Sequence, residues 1–428
     1  MKSIKITTFI MLLVMLPSVI MAQLQRSNEF KEHYKLQEVV ILSRHNIRSP
    51  LSTNGSTLSR LTSYQWTDWS SAPSELTLRG GALETMMGQY FRKWLVSEGL
   101  FKENAVPTTD EVNFYANSMQ RTIATAQYFS SGFMPIANIQ INHRFDASKM
   151  DPVFCPQLTK VSDAFCAEAM KQIEAMGGKN GIKGINQQLK ESYDITAKVL
   201  ELKKSPAFKN GETKGFKDDD TQIIFRLYDE PRMSGSLKLA NSASDALILQ
   251  YYEEPDELKA AFGQKLTLDD WTKIAKIKDV YGDVLFTAPI VAANVAHPLL
   301  VYMNDELRAK CRKFTFLCGH DSNIASVSAA LGIDNYELPN AIEKKTPIGS
   351  KLVFEKWADK TGKEFIAINI VYQNPQQLRG LSMLNLQNPP EVYGLQLKGL
   401  KANADGLYTA EEVMNRFTQS IQAYDAIK

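Results

Sequence analysis

The run Val39-Val40-Ile41-Leu42 is followed at once by Ser43-Arg44-His45-Asn46-Ile47-Arg48-Ser49-Pro50. Four consecutive aliphatic residues, three of them β-branched, read as a strand buried on both faces, as in a parallel sheet covered by helices. The polar residues then emerge at the carboxyl end of that strand, where open α/β sheets bind ligands. A histidine between two arginines suits phosphate. Guanidinium groups offer fixed planar donors to the anion, and an imidazole can attack phosphorus.

Two further stretches repeat this order of apolar strand, polar turn and helix. Residues 112–116 read as a second strand, after which Asn117-Ser118 caps a helix that starts near Met119 and carries Arg121 in its first turn. A cation there opposes the helix dipole, so local stability does not account for it, whereas an anion held at the helix start does. Residues 313–318 form the third strand, followed by Gly319-His320-Asp321-Ser322-Asn323 and a helix with Ile324, Val327 and Leu331 on one face. Three strand ends thus bring Arg44, His45, Arg48, Arg121, His320 and Asp321 toward one rim of one sheet. Preorganised positive charge of this kind stabilises a transferring phosphoryl group without a metal.

Around these units, Thr77 caps a helix running to Val96, with Leu83, Met87, Tyr90, Phe91 and Trp94 on its core stripe and Gly99 as its stop. Residues 51–74 read as a long loop in which Trp66 and Trp69 serve loop packing in preference to a pocket wall. Residues 351–357 and 364–372 flank Asp359-Lys360-Thr361-Gly362 as a hairpin, and a helix covers 410–424. The expected fold is α/β: a mixed, mostly parallel central sheet flanked by helices, with an inserted mainly helical domain. Its divisions are a signal peptide at 1–22, a catalytic domain of 23–150 plus 284–428, and an insertion at 151–283 that forms the lid and substrate wall.

Lys2 and Lys5, the apolar stretch 6–16 and a small residue at Ala22 make up that export signal, which places the mature chain in the periplasm. No cysteine follows the cut to take a lipid, and no later run is long and apolar enough for a membrane helix. Without Lys2 and Lys5 the 49 basic residues become 47, equal to the 47 acidic ones, so the overall charge argues against nucleic acid as a partner. Four cysteines in an exported chain suggest one or two disulfides, Cys155 with Cys166 and Cys311 with Cys318, although Cys318 also reads as a buried free thiol. Neither the cysteines nor the five scattered histidines have metal-ligand spacing, and no cofactor is expected.

At this point the residues match a family. Arg44, His45, Arg48 and Pro50 meet the signature R-H-x-x-R-x-P of the histidine acid phosphatases, His320-Asp321 meets its distal H-D pair, and the stretch 115–122 supplies its third arginine, Arg121. The chain resembles this family over nearly all of its mature length, nearest to the bacterial periplasmic glucose-1-phosphatases and next to the periplasmic phytases. It departs from the inositol polyphosphate phosphatase branch, which carries H-A-E where this chain has His320-Asp321-Ser322.

The resemblance implies a two-step displacement. His45 is the nucleophile, Asp321 gives a proton to the leaving oxygen, and Arg44, Arg48, Arg121 and His320 hold the phosphate. It implies a small phosphorylated substrate, glucose 1-phosphate first, with inositol hexakisphosphate or a broad range of esters as the alternative. A phosphotransferase fits an exported chain less well, and a non-enzymatic phosphosugar-binding protein would not need both His45 and Asp321. His33, His143 and His297 stand in no motif and read as structural or surface residues. Glu253 and Glu254 read as solvent-facing in preference to excluding polyanions, and oligomeric state is open.

Overall fold

A computed structural model describes residues 24–51, 57–147 and 149–428. The signal peptide expected at 1–22 lies outside the described residues, as do positions 52–56 of the long loop. The described strands are β1 (Tyr34–Arg44), β2 (Val112–Ala116), β3 (Gln222–Ile224), β4 (Arg232–Ser234), β5 (Phe314–Gly319), β6 (Lys351–Asp359), β7 (Glu364–Tyr372), β8 (Glu391–Gly394) and β9 (Tyr408–Thr409). Seven of them form one sheet in the order β2-β5-β1-β6-β7-β8, with β9 also on β7, while β3 and β4 make a separate two-stranded ribbon.

The sheet is mixed, as expected, and its parallel character is confined to one side. There β5 lies between β1 and β2, parallel to both, whereas β1 pairs antiparallel with β6, and β7 pairs antiparallel with β6, β8 and β9. Residue alternation divides the core between the two faces of the sheet. Val39 and Ile41 join Phe91, Trp94, Phe114, Phe129 and Phe316 on one side, and Val40 and Leu42 join Leu300, Met303, Leu317, Ile324 and Phe417 on the other.

Five helices matter for the site, α1 (Leu78–Ser97), α2 (Gln120–Phe133), α3 (Ser236–Glu253), α4 (Leu268–Phe286) and α5 (Asp321–Ala330), and the carboxyl-terminal α6 (Ala410–Asp425) is the helix expected at 410–424. Thr77 caps α1 through its side chain, as its sequence indicates. Between α2 and β5 the chain is mainly helical, the ribbon apart, and α3 and α4 pack on each other near the carboxyl ends of the parallel strands.

Several expectations are corrected. The N-cap of α2 is Met119, without a side-chain bond, because Asn117 is engaged elsewhere. All four cysteines are free. Cys318 is buried within β5, and strand rise of about 3.3 Å per residue carries it too far from Cys311, before the strand, for the short Cα separation a disulfide needs. Burial pushes the Cys155 thiol up to about 12, so it is protonated at ordinary pH. Glu253 does not face open solvent: it accepts from Thr77 Oγ1 at 2.8 Å and from Ser70 Oγ at 3.3 Å. Trp66 packs edge-on against Phe262, 5.1 Å between ring centres, in the loop-packing role its sequence setting indicates.

Candidate active site

Register brings the three polar turns to one level. Arg44 lies opposite Gly319, and Ala116 opposite Cys318. One step further, His45 N donates to Gly319 O at 3.0 Å and Asn117 N to Cys318 O at 2.9 Å, so the strand ends remain tied after the ladder stops. A side chain at Gly319 would collide with Asn323 Oδ1, whose place is fixed by the His320 amide at 2.9 Å and by its own Nδ2 bond to Phe154 O at 2.7 Å.

His45 and His320 meet edge to face with ring centres 5.4 Å apart. His45 Nδ1 donates to its neighbour Asn46 O at 2.8 Å, which leaves Nε2 with a free lone pair. Asn117 settles the state of the other ring. Its Oδ1 accepts from the Asp151 amide at 2.8 Å, so its Nδ2 is the donor facing His320 Nε2 at 2.7 Å, and neutral His320 carries its proton on Nδ1. Burial, then Arg121, His320 and the other arginines, hold His45 well below the usual imidazole range; burial and Arg121 do the same to His320 against the pull of Asp321.

The arginines divide into two kinds. Arg44 is buried and already engaged, donating through Nη1 to Glu343 Oε1 at 2.7 Å and to the Thr346 carbonyl, with Nη2 3.7 Å from Asp321 Oδ2. Arg48 donates to Asp245 Oδ2 of α3 at 2.9 Å and to Ser49 O at 3.1 Å. Arg121, in the first turn of α2, makes no side-chain hydrogen bond or ion pair among the described residues, and its Nε is buried without a partner. Burial and the neighbouring Arg48 bring its guanidinium down to about 10, still charged across the acid and neutral range.

Asp321 begins α5. Its Oδ1 accepts from the Ser322 amide at 2.9 Å, and its Oδ2 is held by Lys278 of α4. Burial alone would push this carboxyl up, but Lys278 and Arg44 hold it well below the usual carboxylate range. These groups surround a cavity of about 460 Å³ lined by His45, Arg48, Arg121, His320 and Asp321 from the sheet rim and by residues of α3, α4 and the β3–β4 ribbon. Arg44 lies behind this lining, next to Asp321. His33, His143 and His297 lie elsewhere; His297 stacks on Tyr424 at 4.0 Å. Among the described residues no three His, Cys, Asp or Glu side chains gather into a metal-ligand cluster.

Sequence reading missed Asn117 as a partner of His320, Asp245 as a partner of Arg48 and Lys278 as a partner of Asp321. The last two stand in ordinary amphipathic helices, where an isolated charge carries no signal of its destination.

A histidine pair flanked by arginines at the carboxyl ends of parallel strands, with a carboxylate opposite, is suited to binding a phosphate group. The sequence profile of the histidine phosphatase superfamily (branch 2) matches residues 35–373. A glucose-1-phosphatase of Providencia rettgeri is 38% identical over 393 residues, covering 90% of this chain and 92% of that one. A glucose-1-phosphatase of Salmonella typhimurium is 38% identical over 403 residues, covering 93% and 95%. Among solved structures, the apo form of Hafnia alvei phytase superposes with a TM-score of 0.83 at 27% identity, covering 92% of this chain and 98% of that one. The chain belongs to the histidine phosphatase superfamily, branch 2.

Proposed function

We propose that this protein hydrolyses phosphate monoesters in two steps through a phosphohistidine on His45, without a metal, and that glucose 1-phosphate is its substrate. The observation that carries the chemistry is the unpartnered, half-buried guanidinium of Arg121 beside two neutral histidines. An anion is what such a group lacks. His45 Nε2 attacks phosphorus as the ester P–O bond breaks, and Asp321 supplies the proton to the departing oxygen. Water then attacks the phosphohistidine, Asp321 takes its proton, and the N–P bond breaks. Arg48, Arg121 and His320 hold the phosphoryl oxygens, with Arg44 reinforcing the field from behind.

The ionised Asp321 of the free site becomes an acid only when a phosphate dianion enters, because the dianion opposes the cations that hold the carboxylate. The same charge favours proton uptake by His45. Activity therefore peaks on the acid side of neutrality and falls as Asp321 in the substrate complex loses its proton.

The choice of glucose 1-phosphate rests on the charge of the cavity. Six basic residues, Arg48, Arg121, Arg232, Lys238, Lys278 and Lys345, share its lining with five acidic ones, Glu230, Asp245, Asp279, Asp283 and Asp321. Arg48, Lys278 and Arg232 are already paired with Asp245, Asp321 and Asp229, so the wall offers few free cations, which suits one phosphate on a neutral sugar and opposes a polyanion such as inositol hexakisphosphate. The 38% identity to named glucose-1-phosphatases supports the same choice. Inositol hexakisphosphate is the second reading, favoured by the likeness to Hafnia alvei phytase.

Residues 151–283 act in this reading as the lid and substrate wall of a catalytic domain formed by 23–150 and 284–428. The amino-terminal signal supports export to the periplasm, and among the described residues no helix is long and apolar enough to cross a membrane. Initial rates on glucose 1-phosphate, glucose 6-phosphate, phytate and 4-nitrophenyl phosphate, with and without a chelator, test the proposal. The expected result is fastest turnover of glucose 1-phosphate, unchanged by chelation; turnover that favours phytate supports the second reading. Replacing His45 by Ala should lower kcat by a factor on the order of 10⁴ or more in a protein that still folds. Substantial residual hydrolysis removes His45 as nucleophile.

A further inference from the structure

We propose that Lys278 is a positioning residue for the proton donor: it orients the Asp321 carboxyl and limits the pH range over which that group keeps its proton in the substrate complex. The inference rests on the reading of Asp321 as proton donor.

Four charged side chains alternate at this corner of the site. Lys278 Nζ bonds Asp321 Oδ2 and lies 3.8 Å from Glu343 Oε1, and Arg44 reaches Glu343 at 2.7 Å and Asp321 at 3.7 Å. The second oxygen of Glu343 accepts from the Ile348 amide at 3.0 Å, and Arg44 lies a full ångström nearer to Glu343 than to Asp321. Arg44 therefore serves chiefly Glu343, and Lys278 is left as the close cation of Asp321. Its side chain is only 11% exposed, whereas that of Asp321 is 37% exposed, so the ammonium is sheltered while the carboxyl still reaches the cavity. Next to Lys278, Asp279 accepts from the Lys344 amide at 2.7 Å and anchors that turn of α4.

The two oxygens of Asp321 have different work. Oδ1 accepts from the Ser322 amide, fixed at the helix start, whereas Oδ2 meets the movable ammonium of Lys278, so the transferable proton is assigned to Oδ2. Ammonium and proton thus compete for one atom. The other charged or titratable groups facing Asp321 are Arg44 and neutral His45 from the end of β1, Arg121 from α2, neutral His320 at its own helix cap, and the acids Glu230 and Glu343. None of these holds Oδ2 as closely. An incoming phosphate dianion draws the ammonium toward itself and lets the proton take its place. On the departure of the alcohol, the carboxylate is returned to Lys278, ready to deprotonate water.

The test is the pH dependence of kcat with glucose 1-phosphate for the wild type, Lys278→Met, Lys278→Arg and Asp321→Asn, each checked for folding by circular dichroism. In Lys278→Met the alkaline limb of kcat should move up by about one pH unit or more, since a carboxyl without its cation keeps its proton longer. KM should change by less than about threefold. Lys278→Arg should restore the wild-type limb, and 4-nitrophenyl phosphate, whose leaving group needs little protonation, should lose less in Lys278→Met than glucose 1-phosphate does. A limb that stays in place while KM rises steeply overturns the proposal and makes Lys278 a substrate contact. Should Asp321→Asn keep wild-type kcat and its alkaline limb, the proton-donor reading itself fails.

Discussion

Asn117 uses both ends of its amide in the site, one to accept from Asp151 and one to donate to His320. Removing the side chain frees the His320 ring to rotate or shift its proton to the other nitrogen. Asn117→Ala should lower kcat on glucose 1-phosphate by about tenfold, the effect of losing one well-aligned hydrogen bond near developing charge. An unchanged kcat would mean that the ring is held by its packing alone. Asp245 acts in the opposite sense. Its carboxylate neutralises part of Arg48 in the empty cavity, so Asp245→Asn should raise the rate on phytate relative to glucose 1-phosphate by about fivefold or more. Competing the two substrates in one assay reads that ratio directly.

Helices and strands beneath the site are joined by a buried ion pair. Lys351, the first residue of β6, bonds both oxygens of Glu84 on α1 at 3.1 Å, together with Ser43 Oγ at 3.0 Å and Gly349 O at 3.1 Å. Asn46 Nδ2 also donates to Glu84 at 2.8 Å, so the residue whose carbonyl holds the His45 proton is itself fixed from below. Lys351→Met alone leaves Glu84 buried and uncompensated and should cost about 3–5 kcal/mol of stability. Adding Glu84→Leu removes the stranded charge and should recover most of that loss in a guanidinium melt. Equal stability of the single and double variants would place the pair's importance elsewhere.

The whole molecule titrates through groups that the reaction does not use. Burial raises the Asp279 carboxyl from 3.8 to about 7, so between these values the folded chain binds a proton that the unfolded chain does not. The stability this contributes is complete below about pH 4 and is lost as pH rises through 7. From pH 5 to pH 8 the wild-type Tm should fall relative to that of Asp279→Asn, which does not titrate; parallel curves would contradict the shift.

Much of this architecture is legible in the chain because its signals are local. The aliphatic run 39–42, the Thr77 cap and the hairpin turn at 359–362 each act within a few residues, and the structure has β1, α1 and the β6–β7 pair where those signals lie. Arg44, His45, Arg48, Arg121, His320 and Asp321 could be singled out because strand ends in α/β sheets put polar turns on one rim. Other features have no local signal. Asn117 reads as a helix cap until β5 brings His320 beside it, and Lys278 and Asp245 look like solvated helix residues until α3 and α4 fold over the rim. The paired cysteines suggested by an exported chain prove free, since spacing along a sequence says nothing about distance once a strand lies between.

The sequence by itself determined the elements and the candidate reagents, because periodicity, caps and motif spacing act through the chain. Which cation sits on which carboxylate, which nitrogen of His320 keeps its proton, and how many cavity cations stay unpaired were decided only by tertiary structure. Those properties depend on distances between groups far apart in sequence, and electrostatic energy follows distance in space.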